Sequence, residues 1–108
     1  MPLRHLQHFL IQTTDLEGTT RWYEDVLGMK RGPHPAFPFP VEWIYIGDQD
    51  VLHLTEGGAG VSAERKQYLE QTSEATHGSG VVDHVAFRAD GLGDMLEQLR
   101  TKSIHFQT

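Results

Sequence analysis

A strand–helix pattern that occurs twice constrains the fold of this chain more than any other feature. His8 and His84 each stand in a run whose large apolar residues alternate with polar ones, which is typical of a strand with one buried face. The two histidines are 76 positions apart (84 minus 8), and at about this offset the strand and helix predicted in residues 6–27 resemble those predicted in residues 82–102. Their apolar positions match although few residues are identical, so we predict two related units.

The first unit reads as a strand, a helix and a hairpin. Residues 5–13 form the predicted strand, Thr14 or Asp15 can cap the helix that follows, and Gly28 is typical of a helix end. The run "VEWIYIGDQDVLHLTE" predicts two strands around the turn "GDQD". We expect this first module to span about residues 5–56.

The second unit is expected to be incomplete. A Gly-rich, charged connector at residues 57–80, part of which predicts a short helix, leads to "VVDHVAFRA", a predicted strand. A predicted helix, "DGLGDMLEQLRTKS", follows, and "IHFQT" begins another strand. A full second module would end near position 132 (56 plus 76), whereas the chain ends at Thr108. We therefore expect one domain over residues 1–108, with module two reduced to residues 81–108 and its last two strands missing.

Composition excludes several classes of protein. The 108 residues carry a net charge of −6 with His neutral, which argues against a nucleic-acid partner. The absence of cysteine excludes disulfides and thiolate metal sites. No apolar stretch approaches the roughly 20 residues that a membrane span needs. The expectation is a cytoplasmic protein with a small-molecule partner.

Three histidines are the candidate metal ligands. His8, His53 and His84 each lie in a predicted strand, on the face opposite the larger apolar side chains. If those apolar faces pack under the helices, the three imidazoles point to the other side of one sheet. Convergent neutral imidazoles are good ligands for Zn²⁺, Ni²⁺, Mn²⁺ or Fe²⁺. The alternative for each histidine is that it is a partly exposed polar residue that binds no metal ion.

The runs "LQHFLIQTTDLEGTTRWYEDVLGM" and "VVDHVAFRADGLGDMLEQLR" resemble the starts of the two modules of the vicinal oxygen chelate superfamily. This superfamily includes glyoxalase I, methylmalonyl-CoA epimerase, extradiol dioxygenases and bleomycin resistance proteins. The resemblance implies an α+β fold of paired βαβββ modules that form an open curved sheet around a divalent metal, here with the second module incomplete. It also implies that His8, His53 and His84 are metal ligands. The family's fourth ligand, usually Glu, would fall near position 129, beyond Thr108.

The resemblance implies a metal-dependent lyase, isomerase or epimerase of the glyoxalase type. Its small substrate would chelate the metal through vicinal oxygens, and the metal would act as a Lewis acid. An extradiol-type dioxygenase, a metal-free binding protein of the bleomycin resistance kind and an inactive fragment with a degraded site remain alternatives.

Such chemistry needs a general base, for which Glu42 is the candidate. A turn with an even number of residues at "GDQD" pairs Ile44 with His53 and Glu42 with Thr55. This pairing puts Glu42 on the same face of the sheet as His53. Trp43 then lies in the core. A one-residue slip of the register would move Glu42 to the other face, and an exposed strand-end Glu is the alternative.

Missing strands also bear on assembly. Residues 81–108 would leave an uncovered sheet edge, which favours pairing with another chain. Because family members often dimerise or share modules, we expect a homodimer. In one form of this dimer, the two chains exchange modules.

Overall fold

The chain divides into two compact units, Met1–Gly78 and Ser79–Thr108. A computed structural model describes residues 2–58, 60–69, 74–78 and 80–107. None of the helices in these ranges combines the length and the apolar composition that a membrane-spanning segment needs.

The first unit contains a four-stranded mixed sheet. The elements of the described chain are β1 (Phe9–Thr13), α1 (Leu16–Leu27), β2 (Lys30–Gly32), β3 (Val41–Ile46), β4 (Gln49–Glu56), α2 (Ala63–Leu69) and α3 (Leu92–Thr101). The strands lie in the order β1-β4-β3-β2, with β1 parallel to β4 and the other two pairs antiparallel. β2 was not predicted, because three residues are too few to show an alternating pattern.

Helix α1 begins and ends where the sequence predicts. The Asp15 side chain accepts a hydrogen bond from the backbone N–H of Gly18 at 3.0 Å, which satisfies one of the free donors of the first turn. At the other end Gly28 adopts a left-handed conformation with φ 70°, and its N–H reaches the carbonyl of Glu24. Both signals act within one helical turn, so the sequence alone is enough to predict them.

The core lies between α1 and one face of the sheet. Ile44, Leu52 and Leu54 are fully buried, and Met29 joins them. Several partly buried side chains of β1, α1 and β4 surround this cluster: Phe9, Ile11, Leu16, Tyr23, Leu27 and Val51. Alternation along the strands therefore leaves the opposite face of the sheet for polar groups, as the sequence predicts.

The predicted register of the β3–β4 hairpin is wrong by one residue. Ile44 pairs with Leu52, Trp43 with His53 and Glu42 with Leu54. The reason is a tighter turn of two residues, which lets Ile46 pair with Gln49.

A β-bulge follows that turn. Between the Ile46–Gln49 pair and the Ile44–Leu52 pair, β4 has one residue more than β3. Val51 consequently packs against the core beside Leu52. This irregularity changes which side chains of β4 reach the polar face.

The second unit departs from its prediction. Helix α3 forms as expected, but in residues 80–107 neither "VVDHVAFRA" nor "IHFQT" forms a strand. A strand needs a hydrogen-bonded neighbour, and the described part of this unit offers none. The predicted connector is described in part and contains the expected short helix α2, whereas residues 59, 70–73 and 79 lie outside the described residues. The α+β class with an incomplete second module is confirmed.

Candidate metal centre

The polar face of the sheet brings two of the predicted ligands together. His8 directly precedes β1, and His53 lies in β4 opposite Leu10 of β1. Their imidazole rings stack with centroids 3.8 Å apart and planes within 15° of parallel. Because His8 and Leu10 share one face of β1, the stacking follows from the parallel pairing of β1 with β4.

Trp43 holds the other side of the His53 ring. The two residues are cross-strand partners, and their rings stack at 4.0 Å with planes 7° apart. The prediction that Trp43 belongs to the core is thus wrong, since the corrected register turns it to the polar face. His53 is enclosed between Trp43 and His8 and is only 8% exposed.

Asp50 is the residue that sequence reasoning missed. The Nε2–H of His53 donates to Asp50 Oδ2 at 2.6 Å, with His53 in the tautomer that this contact requires. In a regular strand, residues three apart point to opposite faces. The bulge at Val51 puts Asp50 and His53 on the same face. No local pattern in "QDVLH" predicts this bulge.

The environment sets the charges of this pair. Burial lowers the pKa of the His53 imidazole, although the hydrogen bond to Asp50 opposes that shift. The same hydrogen bond lowers the pKa of the Asp50 carboxyl group. His53 is therefore neutral and Asp50 is ionised at neutral pH, which are the forms that bind a metal cation.

The donor set fits a divalent metal ion. Among the described residues, His8, Asp50 and His53 can each offer one ligand atom, and these atoms lie within 4.8 Å of one another. Two imidazoles and a carboxylate suit Zn²⁺, Fe²⁺, Ni²⁺ or Mn²⁺. Because the two rings are nearly parallel, sharing one ion requires one ring to turn, and the exposed His8 has the room to do so.

The other two predicted site residues are placed differently. Glu42 pairs with Leu54 on the core side of the sheet, and its carboxylate is 3.8 Å from Arg31. The pairing that put Glu42 beside His53 is wrong, so its role as a base has no geometric support and stays a prediction. His84 lies in the second unit, where it is exposed and 2.8 Å from the Asp83 carboxylate. Its role as a ligand also stays a prediction.

Aromatic side chains extend from the centre across the same unit. The Phe37 ring lies 6.3 Å from that of Trp43, 5.5 Å from Phe39 and 5.4 Å from Tyr68. The proline-rich loop before β3 thus supplies two rings, Phe37 and Phe39, beside α2. Such a surface favours a ligand with an apolar or planar part.

Comparison with known proteins identifies the family of this fold. The family model described as the Glyoxalase/Bleomycin resistance protein/Dioxygenase superfamily matches residues 5–108. An integron cassette protein from the mobile metagenome of V. cholerae is 23% identical, with a TM-score of 0.65. A protein from the mobile metagenome of V. pseudocholerae is also 23% identical, with a TM-score of 0.66. Each alignment covers 95% of this chain and 70% of the other, and at this identity it shows the fold alone. None of the curated proteins compared with the chain matches it.

Proposed function

Because the chain belongs to the Glyoxalase/Bleomycin resistance protein/Dioxygenase superfamily, we propose that it is a metal-dependent lyase, isomerase or epimerase of the glyoxalase type. Its substrate is a small molecule that chelates the metal through two neighbouring oxygens. The observation that carries this proposal is the group of His8, Asp50 and His53, whose ligand atoms lie within 4.8 Å of one another.

The three side chains would coordinate the ion through two kinds of ligand atom, imidazole nitrogen and carboxylate oxygen. His8 and His53 offer nitrogen donors, and the ionised Asp50 offers negative charge. Three protein ligands leave coordination positions for a chelating substrate. When bound, a divalent ion supplies Lewis-acid stabilisation of the anion that forms on loss of a proton next to a carbonyl. Trp43 covers the inner side of His53 and keeps water from it.

Metal binding is the first test. Chelator-treated protein is titrated with Zn²⁺ in a calorimeter, and the wild type is expected to bind one equivalent. His8→Ala and Asp50→Ala should each weaken binding by at least roughly tenfold, the loss seen even for groups that only orient a ligand. His77→Ala is the matched control, because His77 is another exposed imidazole of the same unit. Substoichiometric Zn²⁺, or equal losses in the control, would refute the centre.

His84→Ala addresses the remaining predicted ligand in the same titration. A weakened affinity would add His84 to the set. An unchanged affinity would show the His84 prediction wrong and leave the group of three standing.

Proton exchange is the test of the chemistry. A lyase, isomerase or epimerase of this type removes a proton next to a carbonyl, so metal-loaded protein should exchange that proton of a 2-hydroxycarbonyl or 2-oxo acid for deuterium in D₂O. The exchange is followed by ¹H NMR, with the His8→Ala protein as the control. Metal binding without exchange across such compounds would contradict an enzyme of this class.

The donor set also favours a second candidate, an extradiol-type dioxygenase. Two histidines and one carboxylate form the ligand set of many non-haem Fe²⁺ oxygenases, and Asp50 offers the carboxylate that the three predicted histidine ligands lack. Oxygen uptake by Fe²⁺-loaded protein with catechol would support this candidate over proton transfer.

The aromatic surface favours a third, a metal-free binding protein. His8, His53 and Trp43 form one continuous stack on which a planar ligand can lie. Ligand affinity that is unaffected by a chelator would support it. The homodimer also stays a prediction, and sedimentation of the purified protein as a monomer would contradict it.

A further inference from the structure

Arg65 of α2 is a buried cation that pairs with no carboxylate among the residues that the structure describes. Its side chain is 2% exposed. Nε donates to Thr55 Oγ1 at 2.9 Å, and Nη2 donates to Gln12 Oε1 at 3.1 Å. Both acceptors are neutral, and in the described part of the chain the buried Nη1 has no hydrogen-bond partner. A buried guanidinium is normally paired with a carboxylate or phosphate. Among the described residues, the surroundings of Arg65 lack such an anion.

The guanidinium lies over the same face of the sheet as the candidate metal centre. Gln12 and Thr55 are register partners on β1 and β4, two residues beyond the Leu10–His53 pair. Residues two apart on a strand share a face, and the rise is about 3.3 Å per residue. Arg65 is therefore about 7 Å from the His53 position along the strand direction.

Aromatic contacts hold the same helix over this face. Tyr68, one turn after Arg65 on α2, contacts the rings of Phe37 and Phe39 with centroids 5.4 and 5.8 Å away. Phe37 in turn lies beside Trp43, the residue stacked on His53. The face thus has metal-binding groups at one end, an incompletely paired guanidinium at the other, and aromatic rings along its side.

We infer that the small molecule bound at this face carries a carboxylate that pairs with Arg65, a few carbon atoms from the oxygens that chelate the metal. This inference rests on the proposed metal centre and specifies its substrate class. A guanidinium presents planar N–H groups that match a carboxylate, and Nη1 is the donor left for it. The proposal explains why a cation is buried beside neutral oxygens.

Matched pairs of ligands test the inference. Zn²⁺-loaded protein is titrated calorimetrically with oxalate, 2-oxoglutarate and 2-oxopentanoate. Oxalate can chelate the metal but has no further carboxylate for Arg65. 2-Oxoglutarate and 2-oxopentanoate have carbon chains of the same length, and only 2-oxoglutarate has a terminal carboxylate. The pair 2-oxoadipate and 2-oxohexanoate repeats the comparison with one more methylene. Within at least one pair, the dicarboxylate should bind roughly 10- to 100-fold more tightly, the range for hydrogen bonds to a charged group.

Arg65→Met should abolish that preference, so that the two members of each pair bind with equal affinity. Arg65→Lys keeps the charge without the planar fork and should retain only part of the preference. If neither variant folds, the wild-type comparison still decides whether the bound molecule carries a second carboxylate, and equal affinities within both pairs would overturn the inference.

The outcomes separate the two proposals. Binding of oxalate together with equal affinities within both pairs would overturn the inference that a carboxylate of the ligand pairs with Arg65. The proposed metal centre would remain supported. Failure of Zn²⁺ itself to bind would overturn the proposed function. A dicarboxylate preference that persists in Arg65→Met would assign the anion to another cation and overturn the role of Arg65.

Discussion

Truncation of Ile44 is the sharpest test of the β3–β4 register, on which the placement of the site depends. Ile44 is fully buried opposite Leu52, whereas Ile46 on the same strand is 48% exposed. Ile44→Ala removes three carbon groups, worth roughly 2.4 kcal/mol at about 0.8 kcal/mol each. The cavity left behind brings the expected loss to about 2–5 kcal/mol, whereas Ile44→Val should lose only about 0.5–1.5 kcal/mol.

Ile46→Ala is the matched control and should lose about 1 kcal/mol or less, because half of its surface is already in water. The free energies of unfolding come from urea titrations followed by tryptophan fluorescence, with equal m values as the check on two-state behaviour. The sequence-based register puts Ile44 on the polar face with His53. If Ile44→Ala lost no more stability than Ile46→Ala, the observed register would be refuted, and with it the stacking of Trp43 on His53.

Two further predictions concern α1. Hydrogen bonds from Arg31 lower the pKa of Glu17 and of Glu24, so the folded state binds fewer protons than the unfolded chain near those pKa values. The stability advantage of the wild type over Arg31→Gln should be complete above about pH 5, and should disappear as the pH falls below the ordinary Glu pKa of about 4.3. Urea titrations between pH 3 and pH 7 measure this, and an advantage that persists at low pH would contradict the assignment. Asp15→Ala should lose about 1 kcal/mol by removing the cap on α1, while Asp15→Asn keeps an acceptor and most of the stability. Equal losses in the two Asp15 variants would show that the cap hydrogen bond is not the cause.

The protein illustrates how one inserted residue can assemble a site. Without the bulge in β4, Asp50 would face the core side and Val51 would occupy the polar side next to His53. The candidate centre would then have two imidazoles and no carboxylate. A bulge next to a functional site commonly redirects a side chain in this way.

The sequence by itself determined the features that depend on neighbours along the chain. Asp15 and Gly28 predict the ends of α1 because capping hydrogen bonds join residues within about one turn. Alternation along β1 and β4 predicts that His8 and His53 share the face opposite Leu52, because side chains on a strand alternate with a period of two. The motif "YEDVLGM" after a strand with an early His was enough for the family.

Only the tertiary structure decided the contacts between distant residues. The tight turn and the bulge depend on how two strands pair, so they placed Asp50 in the site and turned Glu42 away from it. Arg65 is 53 positions from Gln12, its hydrogen-bond partner, and nothing in "SAERKQYLEQ" distinguishes it from a surface arginine. Its burial beside the polar face comes from packing of α2 on the sheet. Propensity and periodicity describe one segment at a time, whereas a register and a buried charge are properties of segments in contact.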